Sequence, residues 1–233
     1  MPVIEIRSGQ PVPASAFQPG AELRVYEAVR DAAETFARGR DESFLIQELA
    51  GPFGRADFVL AFPQQSRLAL RQEAGLRPLR VMAEARLVAA LSARYARSLE
   101  DVSERAGMTP SSALRTARGL AATGHVILVP DGRLRRHPSL RPVVHTAAYE
   151  AKVKDWQAAL RQARHYALWN RWSTVVLETA RNRPALLEQA RRYRIGVVVA
   201  GRQVATPRVQ EVRDYLQLMA SETILAATGM VSE

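Results

Sequence analysis

The sequence contains no cysteine. That absence removes disulfides, Cys-ligated zinc, iron–sulfur clusters and thiol nucleophiles from consideration. The four histidines, His125, His137, His145 and His165, show no close metal-ligand pairing. Aromatic residues make up only 6% of the chain, and no aromatic-rich platform for single-stranded RNA stands out. No apolar run approaches the roughly 18 to 20 residues of a membrane-spanning helix. The segment Met1-Pro2-Val3-Ile4-Glu5-Ile6-Arg7 has neither a basic stretch followed by an apolar one nor a small-residue cleavage site, so the expectation is a cytoplasmic chain with no membrane partner. Lysine is scarce as well. Lys152 and Lys154 are the only two among 33 basic residues, the rest being Arg, so an isolated Lys marks a position to follow.

What is present fits a globular chain of one large domain or two small ones. Its 233 residues are 47% hydrophobic and 24% charged, enough to bury a core. The net charge of +10 points to a polyanionic partner, because phosphate neutralisation with counterion release gives salt-dependent affinity for nucleic acid.

Residues 1 to 19 read as an extended leader with a short edge strand at Val3 to Ile6. From Gly20 a helical stripe of Glu22, Val25, Tyr26, Val29, Ala33 and Phe36 runs toward Gly39. Ser43 to Leu49 and Ala56 to Phe62 read as two antiparallel strands around Gly51-Pro52-Phe53-Gly54. A helical stretch from Val81 to about Ala96 follows. Ser98 and Asp101 then sit at N-cap and N3 positions of a second short helix, ended by Gly107. Thr109 caps a third with Pro110 at its first position, and Pro130-Asp131-Gly132 turns a hairpin with a basic second limb, Arg133 to Arg136. Beyond Pro142 come a strand (Val143 to Lys152), a helix (Lys154 to about Asn170), a strand (Ser173 to Glu178), a helix (Pro184 to Arg194) and a strand (Ile195 to Gly201). A last helix covers about Val209 to Ala227.

With residues 80 to 142 lifted out, the remainder is an α/β chain with a mixed sheet flanked by helices. The expected domains are 1–79 as the first part of a core, 80–142 as an insertion, and 143–233 as the second part of the core with the C-terminal helix. The 63 inserted positions hold eleven Arg against five acidic residues, a net of +6, and the other 170 carry +4.

Side chains alternate along a strand, so Glu150 and Lys152 share a face. Asp57 is flanked by apolar residues and is an odd occupant of a buried strand. Two carboxylates meeting at strand ends suit a hard divalent cation, which takes oxygen ligands. Such an ion polarises a phosphodiester and acidifies a bound water, while a nearby Lys orients the attacking water. Taken alone, Glu-x-Lys is common by chance. Asp57 also reads as a turn carboxylate satisfied by backbone donors.

The chain resembles the PD-(D/E)XK nuclease superfamily through Asp57 in Gly54-Arg55-Ala56-Asp57, the tripeptide Glu150-Ala151-Lys152, Gln162 and Tyr166 on the following helix, and the order of elements. The resemblance covers about residues 20 to 62 and 143 to 201. It implies a restriction-endonuclease-like core and a Mg²⁺- or Mn²⁺-dependent deoxyribonuclease. Asp57, Glu150 and the Ala151 carbonyl would bind metal, Lys152 would be catalytic, and Gln162 would line the cleft. Glu22 would be a candidate third acid, against the plainer reading of a frayed helix residue favoured by the dipole. Two departures stand out. Ala56 replaces the Pro expected before the Asp, and Asp57 lies 93 residues before Glu150, or 30 once the insertion is removed. Trp156, Trp169 and Trp172 read as packing residues.

Three helices and a hairpin resemble a winged helix-turn-helix, in which the third helix enters the major groove and the wing touches phosphates or the minor groove. The resemblance puts Ser111, Ser112, Arg115, Thr116 and Arg118 on DNA from the helix, and Arg133, Arg135 and Arg136 from the wing. Arg115 or Arg118 would read guanine edges and the wing arginines would contact phosphates. Winged helices also serve as protein-docking or dimerisation modules. Two functions stay open at this point: a DNA nuclease, or a sequence-specific DNA-binding regulator or adaptor on a nuclease-like scaffold that does not cut. The C-terminal helix, with Val212, Tyr215, Leu216 and Met219 along it, either closes the core or pairs subunits as a homodimer.

Overall fold

The computed structural model describes residues 4–7, 21–40 and 42–231, with side chains from residue 25 onward. The chain divides into two compact units, Met1–Pro63 with Val144–Arg213, and Gln64–Val143 with Asp214–Glu233.

The first unit is built on a seven-stranded mixed sheet in the order β1-β2-β3-β6-β7-β8-β9. Its strands are β1 (Ile4–Arg7), β2 (Phe44–Ala50), β3 (Arg55–Pro63), β6 (Val144–Lys152), β7 (Trp172–Leu177), β8 (Gly196–Val199) and β9 (Arg202–Ala205). β2, β3 and β6 are antiparallel neighbours, and β6, β7 and β8 are parallel. The parallel pairs need crossovers, supplied by α6 (Trp156–Tyr166) and α7 (Arg183–Arg192). The sheet buries apolar side chains on both faces, which is why β7 and β8 read as unbroken apolar runs. One core joins Val25, Val29 and Ala33 of α1 (Ala21–Ala37) to Leu45, Phe58, Leu60 and Tyr149. The other joins Ala159, Leu160 and Ala163 of α6 and Leu186 of α7 to Val175, Leu177, Val197 and Val199. The edge strand expected at Val3 to Ile6 is β1, paired parallel to β2, and the rest of the leader lies outside the described residues. β9 was not foreseen, because Arg202 to Ala205 is an exposed edge without apolar alternation.

The second unit contains α2 (Gln65–Glu73), α3 (Met82–Ala90), α4 (Leu99–Ala106), α5 (Pro110–Ala122), the hairpin β4 (Val126–Leu128) and β5 (Leu134–Arg136), and α8 (Asp214–Thr228). Its core gathers Leu79, Leu87, Val88, Val102, Ala113, Leu120, Val126, Leu134 and Leu218. The caps fall where the sequence puts them. Ser98 accepts from Asp101 N, Thr109 accepts from Ser112 N, and Gly107 (φ 60°) ends α4 in the left-handed conformation. Arg97 adds a third short limb to the hairpin, bonding Leu134 in both directions (2.9 and 2.7 Å). The helix expected from Val81 to about Ala96 stops at Ala90, since the chain is extended from Leu91 and Arg97 is already committed to that limb.

Three features of this unit differ from the sequence reading. It begins at Gln64, not residue 80, because the polar helix α2 belongs to it. Gln64 N donates to Val143 O at 2.7 Å, which closes the base of the segment. The C-terminal helix α8, expected with the sheet, has its core contacts here, through Leu218 and through the buried pair Arg71–Glu222 at 2.8 Å. The charge bookkeeping changes with these boundaries. Arg67, Arg71 and Arg77 against Glu73 add two to the +6 of the segment, and Asp214, Glu222 and Glu233 remove three. Each unit therefore carries +5, and the excess is not concentrated in the second. Among the described residues no helix is long and apolar enough to cross a membrane.

Candidate active site

The site arises where β3 and β6 run side by side. The register pairs Phe58 with Tyr149, so the next step along each strand sets Asp57 beside Glu150, and cross-strand neighbours lie about 4.5 to 5.5 Å apart at Cβ. Asp57 Oδ2 accepts a hydrogen bond from Ala151 N at 2.8 Å. Sequence reasoning thus identified a strand carboxylate that bonds a backbone donor and also neighbours a second carboxylate.

Glu150 is fully buried. Its Oε1 lies 2.8 Å from Lys152 Nζ, and its Oε2 accepts from the Tyr166 hydroxyl at 2.9 Å. Lys152 stays 29% exposed, so the buried carboxylate connects through its cation to solvent. Burial, and then the like charge of Asp57, push the Glu150 carboxyl up to about 7, against the opposing pull of Lys152 and Tyr166. Tyr166 is raised in turn, by burial first and then by the Glu150 charge.

Tyr166 closes the site from α6. Its hydroxyl also lies 2.7 Å from Arg55 O, which ties α6 to the first residue of β3. Asp155 N-caps α6 through Ala158 N, and Trp169, fully buried, donates Nε1 to Phe53 O at 3.2 Å. A Cβ on Gly51 would stand 2.2 Å from the Trp169 ring, so the β2–β3 turn needs glycine there for the indole to seat. Glu48 adds local strain. It sits in β2 at φ 52°, a conformation uncommon for a residue with a side chain. The flanking pairs Gln47–Phe58 and Leu49–Ala56 put it opposite Asp57.

Asp57, Glu150, Ala151 and Lys152 are therefore brought together on adjoining strands. Gln162 is half-buried one helical turn before Tyr166 and makes no hydrogen bond to the cluster. Tyr166 occupies the position against Glu150, and its hydroxyl reaches where a shorter amide on the previous turn does not. Glu22 lies in the first turn of α1, outside the residues whose side chains are described. Sequence reasoning placed Tyr166 on the helix after the Glu150–Lys152 strand but gave it no role. The signal lay in pairing a buried Glu with a phenol on the crossover helix.

The donor chemistry fits a hard divalent cation. Two carboxylates on neighbouring strands, one of them protonated more readily because of the other, are relieved by a cation between them. The described residues offer no cluster of three or more Asp, Glu or His side chains, so the carboxylate set is two, and water or a backbone carbonyl would complete the shell.

In the second unit, Ser111, Arg115 and Arg118 follow one another at helical spacing on the exposed face of α5. Ser112 and Thr116 are half-buried, and the Thr116 hydroxyl donates to Ser112 O at 2.9 Å. Arg133 is exposed at the hairpin turn and paired with Asp131. Arg135 and Arg136 are half-buried, and Arg136 donates to Leu140 O. His125, fully buried, bridges Thr123 and Arg77 O and is a packing residue of this unit.

Comparison of the chain with known protein families, curated proteins and solved structures gives no match.

Proposed function

We infer that the protein is a metal-dependent DNA nuclease, with the reaction on the sheet unit and duplex binding on α5 and the hairpin of the helical unit. The observation that carries this reading is the juxtaposition of Asp57 with Glu150 under the Lys152 ammonium. A second carboxylate weakens an isolated Glu–Lys pair, whereas two adjoining carboxylates suit a hard divalent cation.

Asp57, Glu150 and the Ala151 carbonyl would hold Mg²⁺ or Mn²⁺. When bound, such an ion supplies Lewis-acid activation of the phosphodiester and a more acidic water. The chain's own residues supply the rest. Lys152, partly in solvent, offsets charge that develops on the phosphate and orients the attacking water. Tyr166 fixes the Glu150 rotamer from below, and Ala151 N fixes Asp57 from the side. Gln162, half-buried on α6, would meet substrate rather than the carboxylates. The restriction-endonuclease-like core and the inserted winged helix belong to this proposal, as does DNA as substrate.

A cleavage assay on plasmid, linear and branched DNA with Mg²⁺ or Mn²⁺ tests it. Metal-dependent turnover that disappears in Glu150→Ala and Lys152→Ala is the expected result. Cleavage that persists unchanged in both removes the site. Stoichiometric, site-specific binding with no turnover under either metal would favour a non-cleaving DNA-binding protein instead.

A further inference from the structure

The helical unit has an open cleft of about 480 Å³ bounded by α3, the α3–α4 connection, the end of α4, β5 and the first turn of α8. That volume falls within the range of small-molecule pockets, about 300 to 1,000 Å³. Four guanidinium groups line it, those of Arg86, Arg97, Arg105 and Arg136, with the phenols of Tyr95 and Tyr215. The carboxylates at hand are fewer. Asp101 is shared between Arg97 (2.7 Å) and Arg105 (2.6 Å), and Asp214 is on the lining itself.

The cations are incompletely neutralised. Four guanidinium groups face two carboxylates, Asp101 and Asp214, and that excess of positive charge is what a bound anion would offset. Burial, and then the like charge of Arg141, lower the Arg136 pKa, with Asp214 opposing. The two rings carry the second half of the argument. The Arg97 guanidinium lies 4.7 Å from the Tyr95 centroid, and that of Arg86 lies 5.3 Å from the Tyr215 centroid. Arg86 comes from α3 and Arg136 from β5, and the lining joins cations to rings, which suits a ligand with one anionic and one flat aromatic end.

We propose that this cleft is a binding site for a nucleoside phosphate, its phosphate held by Arg86, Arg105 and Arg136 and its base stacked against Tyr95 or Tyr215. The cleft shares Arg136 with the hairpin, but no residue of α5 is on its lining. It is independent of the nuclease reading, since binding is measured with no cleavage step.

The test is isothermal titration of the full chain in chelator, which keeps metal-bridged nucleotide away from the carboxylates. AMP, ATP, inorganic pyrophosphate and a short duplex are separate titrants. Saturable binding of AMP and ATP is expected, weakened at least about tenfold by Arg86→Ala with Arg105→Ala and unchanged by Arg115→Ala. Asp214→Asn should tighten it, a gain that misfolding cannot imitate. Absence of saturable nucleotide binding at millimolar concentration overturns the proposal. So does loss of binding in Arg115→Ala, which would move the ligand to the DNA face, and so does pyrophosphate binding as tightly as ATP, which would remove the nucleoside.

Discussion

Among the described residues each unit buries one glutamate against one cation, and the two pairs differ in what else surrounds them. Glu222 of α8 lies 2.8 Å from Arg71 and accepts from Leu79 N at 2.8 Å, with both side chains all but inaccessible. After burial, the strongest influence on Glu222 is the opposite charge of Arg71. After burial, the strongest influence on Glu150 is the like charge of Asp57, and its cation remains partly in water. The first arrangement closes on itself and holds α2 to α8. The second keeps a like charge beside a buried carboxylate whose own cation, Lys152, is partly in solvent, the arrangement that the proposed metal site would relieve.

The largest effect that separates them is on reactivity. Glu150→Gln and Asp57→Asn should each lower metal-dependent cleavage by about 10³-fold or more, and neither should lower the melting temperature, since each removes one of two adjacent like charges. A large loss of stability with retained cleavage per folded molecule would reverse the assignment of the two glutamates. Arg71→Ala is the opposite case. It strands Glu222 without its cation and should cost about 3 to 5 kcal/mol in denaturant unfolding of the helical unit, with much of the loss recovered by an apolar pair such as Arg71→Met with Glu222→Leu. Equal loss in the single and double variants would show that the pair contributes packing and not charge.

Acidity gives the next contrast. In metal-free protein Glu150 keeps its proton up to about 7, whereas in the unfolded chain it loses it near the usual 4.5. Between those values the folded state binds more protons than the unfolded one, so stability falls as pH rises through the window. The size is up to about 3 kcal/mol. Trp156, Trp169 and Trp172 all belong to the sheet unit, so tryptophan fluorescence during urea unfolding isolates this dependence from that of Glu222. Glu150→Gln should flatten it between pH 5 and 7. A dependence that survives the substitution would have to come from another group.

Much of this was legible in the residues, and the gaps have physical reasons. Alternation along Tyr149-Glu150-Ala151-Lys152 sets Glu150 and Lys152 on one face whatever the fold, and the apolar runs of β7 and β8 announce a sheet covered on both sides. Caps at Ser98, Thr109 and Gly107 are local chemistry and fell in place. α2 escaped because a helix with only Leu68 and Arg71 buried shows almost no apolar stripe. α8 was assigned to the wrong neighbour because Leu218 and Glu222 advertise a buried face without naming what buries it. The partner of Glu222 is an arginine 151 residues away, and no local pattern carries that information. Tyr166 against Glu150 was missed for a milder version of the same reason, since the strand and the helix fix each side chain's face but not how far each reaches.

The smallest effects compare α5 and the hairpin, the two elements of the helical unit that the proposal sets against DNA. Arg115 and Arg118 stand exposed on α5, and an Arg that reads a base edge is worth about 1 to 3 kcal/mol, with specificity lost at that base. Arg133 at the hairpin turn is neutralised by Asp131, so on binding a phosphate it exchanges one counter-charge for another. Fluorescence anisotropy with a labelled duplex at two salt concentrations should show Arg115→Ala weakening one sequence more than others, while Arg133→Ala changes affinity by less than about twofold. Asp131→Ala sharpens the comparison. It releases Arg133 to phosphate, so affinity and the steepness of its salt dependence should both rise by about one charge's worth. An unchanged salt slope in Asp131→Ala would mean that the hairpin turn does not approach the backbone, and the duplex would then rest on α5 without the wing.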